Sequence, residues 1–268
     1  IAKWSNKKFN VKLFKNIFII TSILSFISLI NTYPQEISTF DPSKPFFNEF
    51  ITFVALSLIR VLIVSFSLSV IMGNIGNNLP ESTHHFNYFE IILIAFSIIG
   101  FTALATSHNI QLVPYWFKGG GGINTYFPFL ENLTINLMSY FKQVVFLLFI
   151  VMLLNKITNY GRKFILMLLL ILVLVLIYTS SLLDQNIGID TPYHIIQGTF
   201  WFGAAFVALY ANFFRFDISS IPLCVAILVS STLFVDVATR MYPGIMVTNI
   251  ISGIMVIMIG YTLRKFLI

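Results

Sequence analysis

NLTINLMSYFKQVVFLLFIVMLLNK, residues 132–156, is the stretch on which the fold turns. From Leu133 to Leu154 it carries a single charged residue, Lys142, in a run that is otherwise mostly apolar. Crossing about 30 Å of hydrocarbon at about 1.5 Å per residue takes roughly 20 such residues. A segment of this length is expected to span a membrane. It is expected to be helical, because a backbone in lipid must satisfy its own hydrogen bonds, and the run is too long and too uniformly apolar for a barrel strand.

Working outward, runs of the same kind recur at about 16–33, 51–72, 89–107, 163–183, 195–214, 220–238 and 245–263, giving eight expected spans with 133–154 as the fourth. Composition agrees: 57% of the 268 residues are hydrophobic, 29 are phenylalanine and only 10% are charged, where a soluble domain would carry about a quarter. The fold class is therefore all-α, a polytopic transmembrane bundle read as one domain over 1–268. Three N-terminal spans fall within 1–107, a helical core covers 122–235 and a last span lies in 236–268. The first span is long, ends in NTYPQE and lacks a small-residue cleavage pattern, so it is expected to be retained rather than removed as a signal peptide.

Charge gives the orientation. Lys3, Lys7, Lys8, Lys12, Lys15, Lys156, Arg162, Lys163, Arg215, Arg264 and Lys265 fall on one side of the eight-span layout, and Lys44, Lys118 and Arg240 on the other. By the positive-inside rule both termini are expected in the cytoplasm, and the bacterial inner membrane is the expected location. Topology thus accounts for most of the net charge of +6, and no basic stripe interleaved with aromatics points to nucleic acid.

Other features carry less chemistry. Cys224, the single cysteine, excludes an intramolecular disulfide and a cysteine-based metal cluster. Gly119 to Gly122 lacks the following Lys-Ser/Thr of a phosphate cradle and reads as a connector. His84 and His85 are adjacent, share no helix face and have no third ligand at helical spacing, so no metal and no other cofactor is expected. Asn132-Leu133-Thr134 matches a glycosylation acceptor but stands at the mouth of a span.

Two charges lie deep within spans. Arg60 stands in the second and Lys142 in the fourth, each near mid-membrane, where a charge costs about 3 kcal/mol on insertion scales. Asn132, Asn136, Ser139 and Gln143 follow at intervals of four, three and four, lining one stripe beside Lys142. That stripe is expected to face protein or water, either as interhelical hydrogen-bonding or as a binding surface. Nearby acids are poorly placed: Asp236, Glu90 and Asp184 all sit at span ends. An unpaired positive centre suits an anionic headgroup, a substrate carboxylate or an acidic residue on a partner helix. Lys142, Gln143, Ser139, Asn136, Arg60, Asp236 and His194 are accordingly the candidate binding residues, with no catalytic residue among them.

The order GINTYFPFLENL, SYFKQVVFLLFIVMLLNKI, NYGRKF, LVLVLIYTSSLLD, TPYHIIQGTFWFGAAFVALY, NFFRFDISSIPLCVAILVS resembles the intramembrane proteases that include CAAX prenyl endopeptidases and bacteriocin-processing enzymes. The resemblance covers Gly122 to Ala226 and lies in layout more than identity. It implies a protease-like helical core, with Lys142 and Gln143 where paired glutamates would stand, Leu147 in place of an arginine, and Ala226 and Ser230 in place of a final histidine and its partner. In active members glutamates and histidines activate water, with a metal, to cut a peptide bond within the membrane. The earlier histidine belongs around Ser181 to Asp184, where none occurs, and His194 is displaced into the start of the next helix. The resemblance therefore implies a pseudoprotease. A second resemblance, over residues 190–253, is to small membrane proteins of the VanZ-like type through Asp190, His194, Asp236, Pro243, Gly244 and Asn249, with the spacing after Pro243 several residues short.

Three functions follow as expectations. The first is a non-catalytic membrane subunit that binds a membrane protein partner or lipid through an intramembrane polar cavity around the fourth span. The second is a transporter or permease subunit whose Arg60 and Lys142 contact an anionic or amphipathic substrate. The third is an active intramembrane hydrolase using Asp184, Asp236 and His194. Gly198, Gly203, Ala204 and Ala208 permit close helix approach under any of them.

Overall fold

Apolar runs that cannot bond to water close their hydrogen bonds along the chain, and every regular element among the described residues is helical. The computed structural model describes residues 9–75, 86–106, 126–159, 209–214, 216–239 and 243–267. They form α1 (Val11–Ile37), α2 (Phe46–Ile75), α3 (Tyr88–Thr106), α4 (Pro128–Asn159), α5 (Ile221–Thr239) and α6 (Pro243–Leu267). A π-helical turn, Tyr210–Phe214, and a 3₁₀ turn, Ile218–Ser220, precede α5. Five segments are long and apolar enough to cross a membrane: Val11–Pro34, Phe46–Ile75, Phe129–Asn155, Ile218–Val237 and Met246–Leu267. Tyr88–Ile99 is a shorter apolar helix. The span expected at 163–183, and most of that at 195–214, lies outside the described residues.

Several helices outrun the apolar runs that announce them. Asn10 caps α1 by accepting the Leu13 N–H at 3.0 Å, so the helix starts five residues before the apolar stretch expected from 16. At its other end α1 continues through Pro34 to Ile37, because a proline this near the C-terminus removes one hydrogen bond of the last turns rather than breaking a long ladder. Pro128 opens α4 at a position where its missing N–H has no intrahelical partner to lose. In the loop before α2, Asp41 accepts from the Ser43 N–H at 2.9 Å and hydroxyl at 2.7 Å, and Lys44 pairs with Glu49 at 3.3 Å. Those Ser43 hydrogen bonds hold the Asp41 carboxyl below its usual range, while Glu49 raises Lys44.

α4 is the central element. Its buried ridge, Leu137, Tyr140, Phe141, Val144, Val145, Leu148 and Val151, repeats at three and four residues. On it pack the α1–α2 pair and the α5–α6 pair, while α3 packs on α5. The most extensive contact is between α5 and α6. There Gly260 leaves room for Ala226 and the Pro222 carbonyl, Ser230 donates its hydroxyl to the Gly253 carbonyl at 2.8 Å, and Tyr140 of α4 donates to the Pro222 carbonyl at 3.1 Å. Lipid offers helices no hydrophobic gain on association, so such close approach and interhelical hydrogen bonds hold the bundle. Large apolar side chains cover the outside, including Leu56, Ile59, Leu62, Ile63 and Phe66 of α2.

Contacts at the helix ends sort them into two groups. The Asn10 N–H donates to the Gly73 carbonyl at 3.0 Å, tying the start of α1 to the end of α2. Lys12 lies over the Phe266 ring at 5.9 Å, bringing in the end of α6. Tyr210 donates its hydroxyl to Asn155 near the end of α4 at 2.6 Å. The opposite group joins the end of α1 to the start of α4, where the Phe127 N–H donates to Asn31 at 2.6 Å. Each of these contacts joins ends that the alternating layout places on one side of the membrane.

Candidate functional site

Lys142 is the middle residue of the span Phe129–Asn155, with about 20 Å of helix on either side. Helical periodicity puts Ile135, Lys142 and Phe149 in one line, and Ser139, Phe146 and Leu153 in the next. Ser139 is half-buried; Lys142, Gln143 and the apolar members are exposed. Gln143 donates to the Ser139 hydroxyl at 3.2 Å. Lys142 has neither an ion pair nor a hydrogen bond among the described residues.

The polar stripe runs along the border between the buried and the outer face of α4. Asn136, half-buried, donates to Asn249 of α6 at 3.4 Å, whereas Gln143 at the far end of the stripe is exposed. Asn132 is half-buried and engaged. Arg60 lies at the middle of Phe46–Ile75 and is exposed on α2, among apolar neighbours. Asp236 is half-buried close to the end of α5 and has a partner. The structure thus brings together Ser139, Lys142 and Gln143 on one face and joins Asn136 to α6. His194, His84, His85, Asp184 and Asp190 lie outside the described residues.

Positions matched to the protease layout point in different directions. Lys142 and Gln143 are exposed, and Leu147 is half-buried. Ala226 and Ser230 are wholly buried against α6, the first at Gly260 and the second bonded to the Gly253 carbonyl. No histidine side chain fits at 226 while α5 and α6 stay this close. Among the described residues no group of three His, Cys, Asp or Glu side chains is placed to hold a metal ion.

No family model, no curated protein and no solved structure matches the chain.

Two buried polar networks escaped the sequence reading. In the first, Asp217 is completely buried just ahead of α5, and the Arg264 side chain, in the last turn of α6, is 5% exposed. The Asp217 carboxylate accepts from the Ser219 hydroxyl and, at 3.1 Å, from the Phe86 N–H; Arg264 stands 3.9 Å from it and donates to the Phe86 carbonyl. The guanidinium also lies over the Tyr88 ring, 4.6 Å from its centre. Its Nε and Nη1 have no hydrogen-bond partner among the described residues. Three separate segments, the approach to α3, the turn before α5 and the end of α6, are clamped here. The run Asp217-Ile-Ser-Ser-Ile-Pro marks a helix start, since Asp and Ser before a proline-containing first turn do so, but the Asp217 side chain makes no cap hydrogen bond and turns to Ser219 and Phe86 instead.

In the second network Glu131, 3% exposed in the first turn of α4, accepts from Ser28 at 3.0 Å and Asn31 at 3.1 Å, both on α1. Asn31 also donates to the Phe127 carbonyl at 2.9 Å. Its amide oxygen accepts the Phe127 N–H, which has no helical partner, while its N–H groups add a second bond to the Phe127 carbonyl, which already accepts from the Glu131 N–H at 3.1 Å.

Proposed function

We propose that the chain is a non-catalytic integral membrane subunit, pseudoprotease-like in layout, that works by holding a membrane-embedded partner against the outer face of α4. The observation that carries this reading is the divergence of the matched positions. Lys142 and Gln143 face outward while Ala226 and Ser230 are pressed into α6. Hydrolysis of a peptide bond needs a base, a stabiliser for the developing oxyanion and commonly a metal, all converging on one reacting carbon. An ammonium and an amide on one side of α4 could donate to an oxyanion, but with a methyl group and a hydroxyl facing α6 the matched positions supply no general base and no metal ligand set, and they do not converge on one carbon.

The proposed orientation has both termini in the cytoplasm of a bacterial inner membrane. The orientation is supported by the eleven-to-three split of Lys and Arg, and the alternation of the spans by the pairing of helix ends, which either orientation would share. Under it the Asp217–Arg264 clamp lies at the cytoplasmic end and Glu131 at the outer end.

The test is purification from native membranes in mild detergent, followed by metal analysis and incubation with a fluorescent transmembrane peptide. The expected result is uncut peptide and no stoichiometric metal. Cleavage that stops when metal is chelated would overturn the reading.

A further inference from the structure

We propose that the face of α4 bearing Ser139, Lys142 and Gln143 docks one transmembrane helix of another membrane protein, and that this helix carries a carboxylate at its middle. The proposal rests on the non-catalytic reading above and names the partner's chemistry.

Depth selects the partner. Lys142 sits at the midpoint of its span, about 15 Å from either boundary of the hydrocarbon. A lysine stem reaches roughly 6 Å, so snorkelling does not bring the ammonium to headgroup phosphates from there. No acid of the described spans stands at that depth: Glu49, Glu90 and Glu131 lie in the first turns of their helices, Asp236 near the end of α5, and Asp217 is committed to Arg264.

The surroundings select a helix over water. Ile135, Phe146, Phe149 and Leu153 share this side of α4 and are all exposed. Toward the outer end the polar stripe turns inward, where Asn136 is half-buried and bonded to Asn249 of α6, whereas Ser139, Lys142 and Gln143 share the outer face with the exposed Ile135, Phe146, Phe149 and Leu153. Such a surface matches a second apolar helix with one polar centre: packing along the flanks and a charge-assisted hydrogen bond in the middle, where water does not compete. Gln143, already bonded to Ser139, has a carbonyl oxygen left to accept and a second N–H to donate.

The experiment places the full chain in phosphatidylcholine bilayers with a labelled leucine–alanine helix that carries Asp at its centre, and reads association by energy transfer. Control helices carry Asn at the centre or Asp near one end. The Asp-centred helix is expected to bind on the order of tenfold more tightly than either control. Lys142→Met should abolish that preference and Lys142→Arg should retain it, with Lys142→Gln as a second neutral variant whose folding is checked by circular dichroism. Equal binding of the Asp- and Asn-centred helices, or a preference that survives Lys142→Met, overturns the proposal. So does retention of phosphatidylglycerol that depends on Lys142 while the peptides do not bind, which would make a lipid the ligand. None of these outcomes restores a hydrolase, so the non-catalytic reading fails separately, by metal-dependent cleavage.

Discussion

Asp217→Asn removes one charge from a pair that is almost wholly buried and leaves its shape nearly unchanged. At 3.9 Å and an effective dielectric near 20, the Asp217–Arg264 attraction is worth about 4 kcal/mol. Desolvation of both groups offsets much of that, so the intact pair contributes little beyond what an apolar pair of the same volume would. The single variant behaves differently, because it strands a guanidinium whose Nε and Nη1 already lack partners. It should lose about 3 kcal/mol, and Arg264→Met, which strands the carboxylate, about as much. The double variant strands neither charge and should lose less than either single variant, about 1 kcal/mol rather than the sum of about 6 kcal/mol. Equilibrium unfolding in mixed micelles, followed by helical circular dichroism, measures all four proteins. Losses in the double variant that equal the sum of the singles to within about 0.5 kcal/mol would refute the reasoning, since independent sites add.

Two further substitutions probe the packing. Gly260→Ala places a methyl group 2.9 Å from the Pro222 carbonyl and closer still to the Ala226 side chain, so it should destabilise by about 1–3 kcal/mol, with Ala226→Gly restoring part of the loss in the same unfolding assay. Asn31→Ala deletes the hydrogen bonds to Phe127 and Glu131 and should cost about 2–3 kcal/mol, read as faster proteolysis at the junction of α1 and α4.

Most of the described fold was legible in the sequence because crossing a bilayer demands long apolar runs, and composition alone reveals those. Helix ends were less legible. Asn10 and Pro128 extend α1 and α4 into polar sequence by capping and first-turn chemistry that hydropathy does not register. Which way each helix faces was hidden for a different reason. The stripe of Lys142 and Gln143 is expected from the sequence to face protein or water, yet both lie on the exposed face of α4, because a helix that is apolar all round has no polar side to mark its exterior. Of the small residues that mark the tightest contact, the sequence reading does not single out Gly253 and Gly260 and takes Ala226 only as a replaced histidine, while Gly198 and Gly203, which it does single out, lie outside the described residues. Arg264 was counted only as a basic residue at a cytoplasmic helix end. Its burial depends on Asp217 and Phe86, which are distant in the chain and meet it only in the folded bundle.

The most direct measurement is the depth and wetness of position 142. A nitroxide attached to Lys142→Cys, in a Cys224→Ala background, reports collisions with oxygen, which concentrates in lipid, and with a polar nickel chelate, which stays in water. Purified and reconstituted without a partner, the label should show high oxygen and low nickel accessibility, as at the bilayer centre. Nickel accessibility equal to that of a label at Ser43, in the loop before α2, would place Lys142 in an aqueous cavity and contradict the docking face on which the proposed function rests.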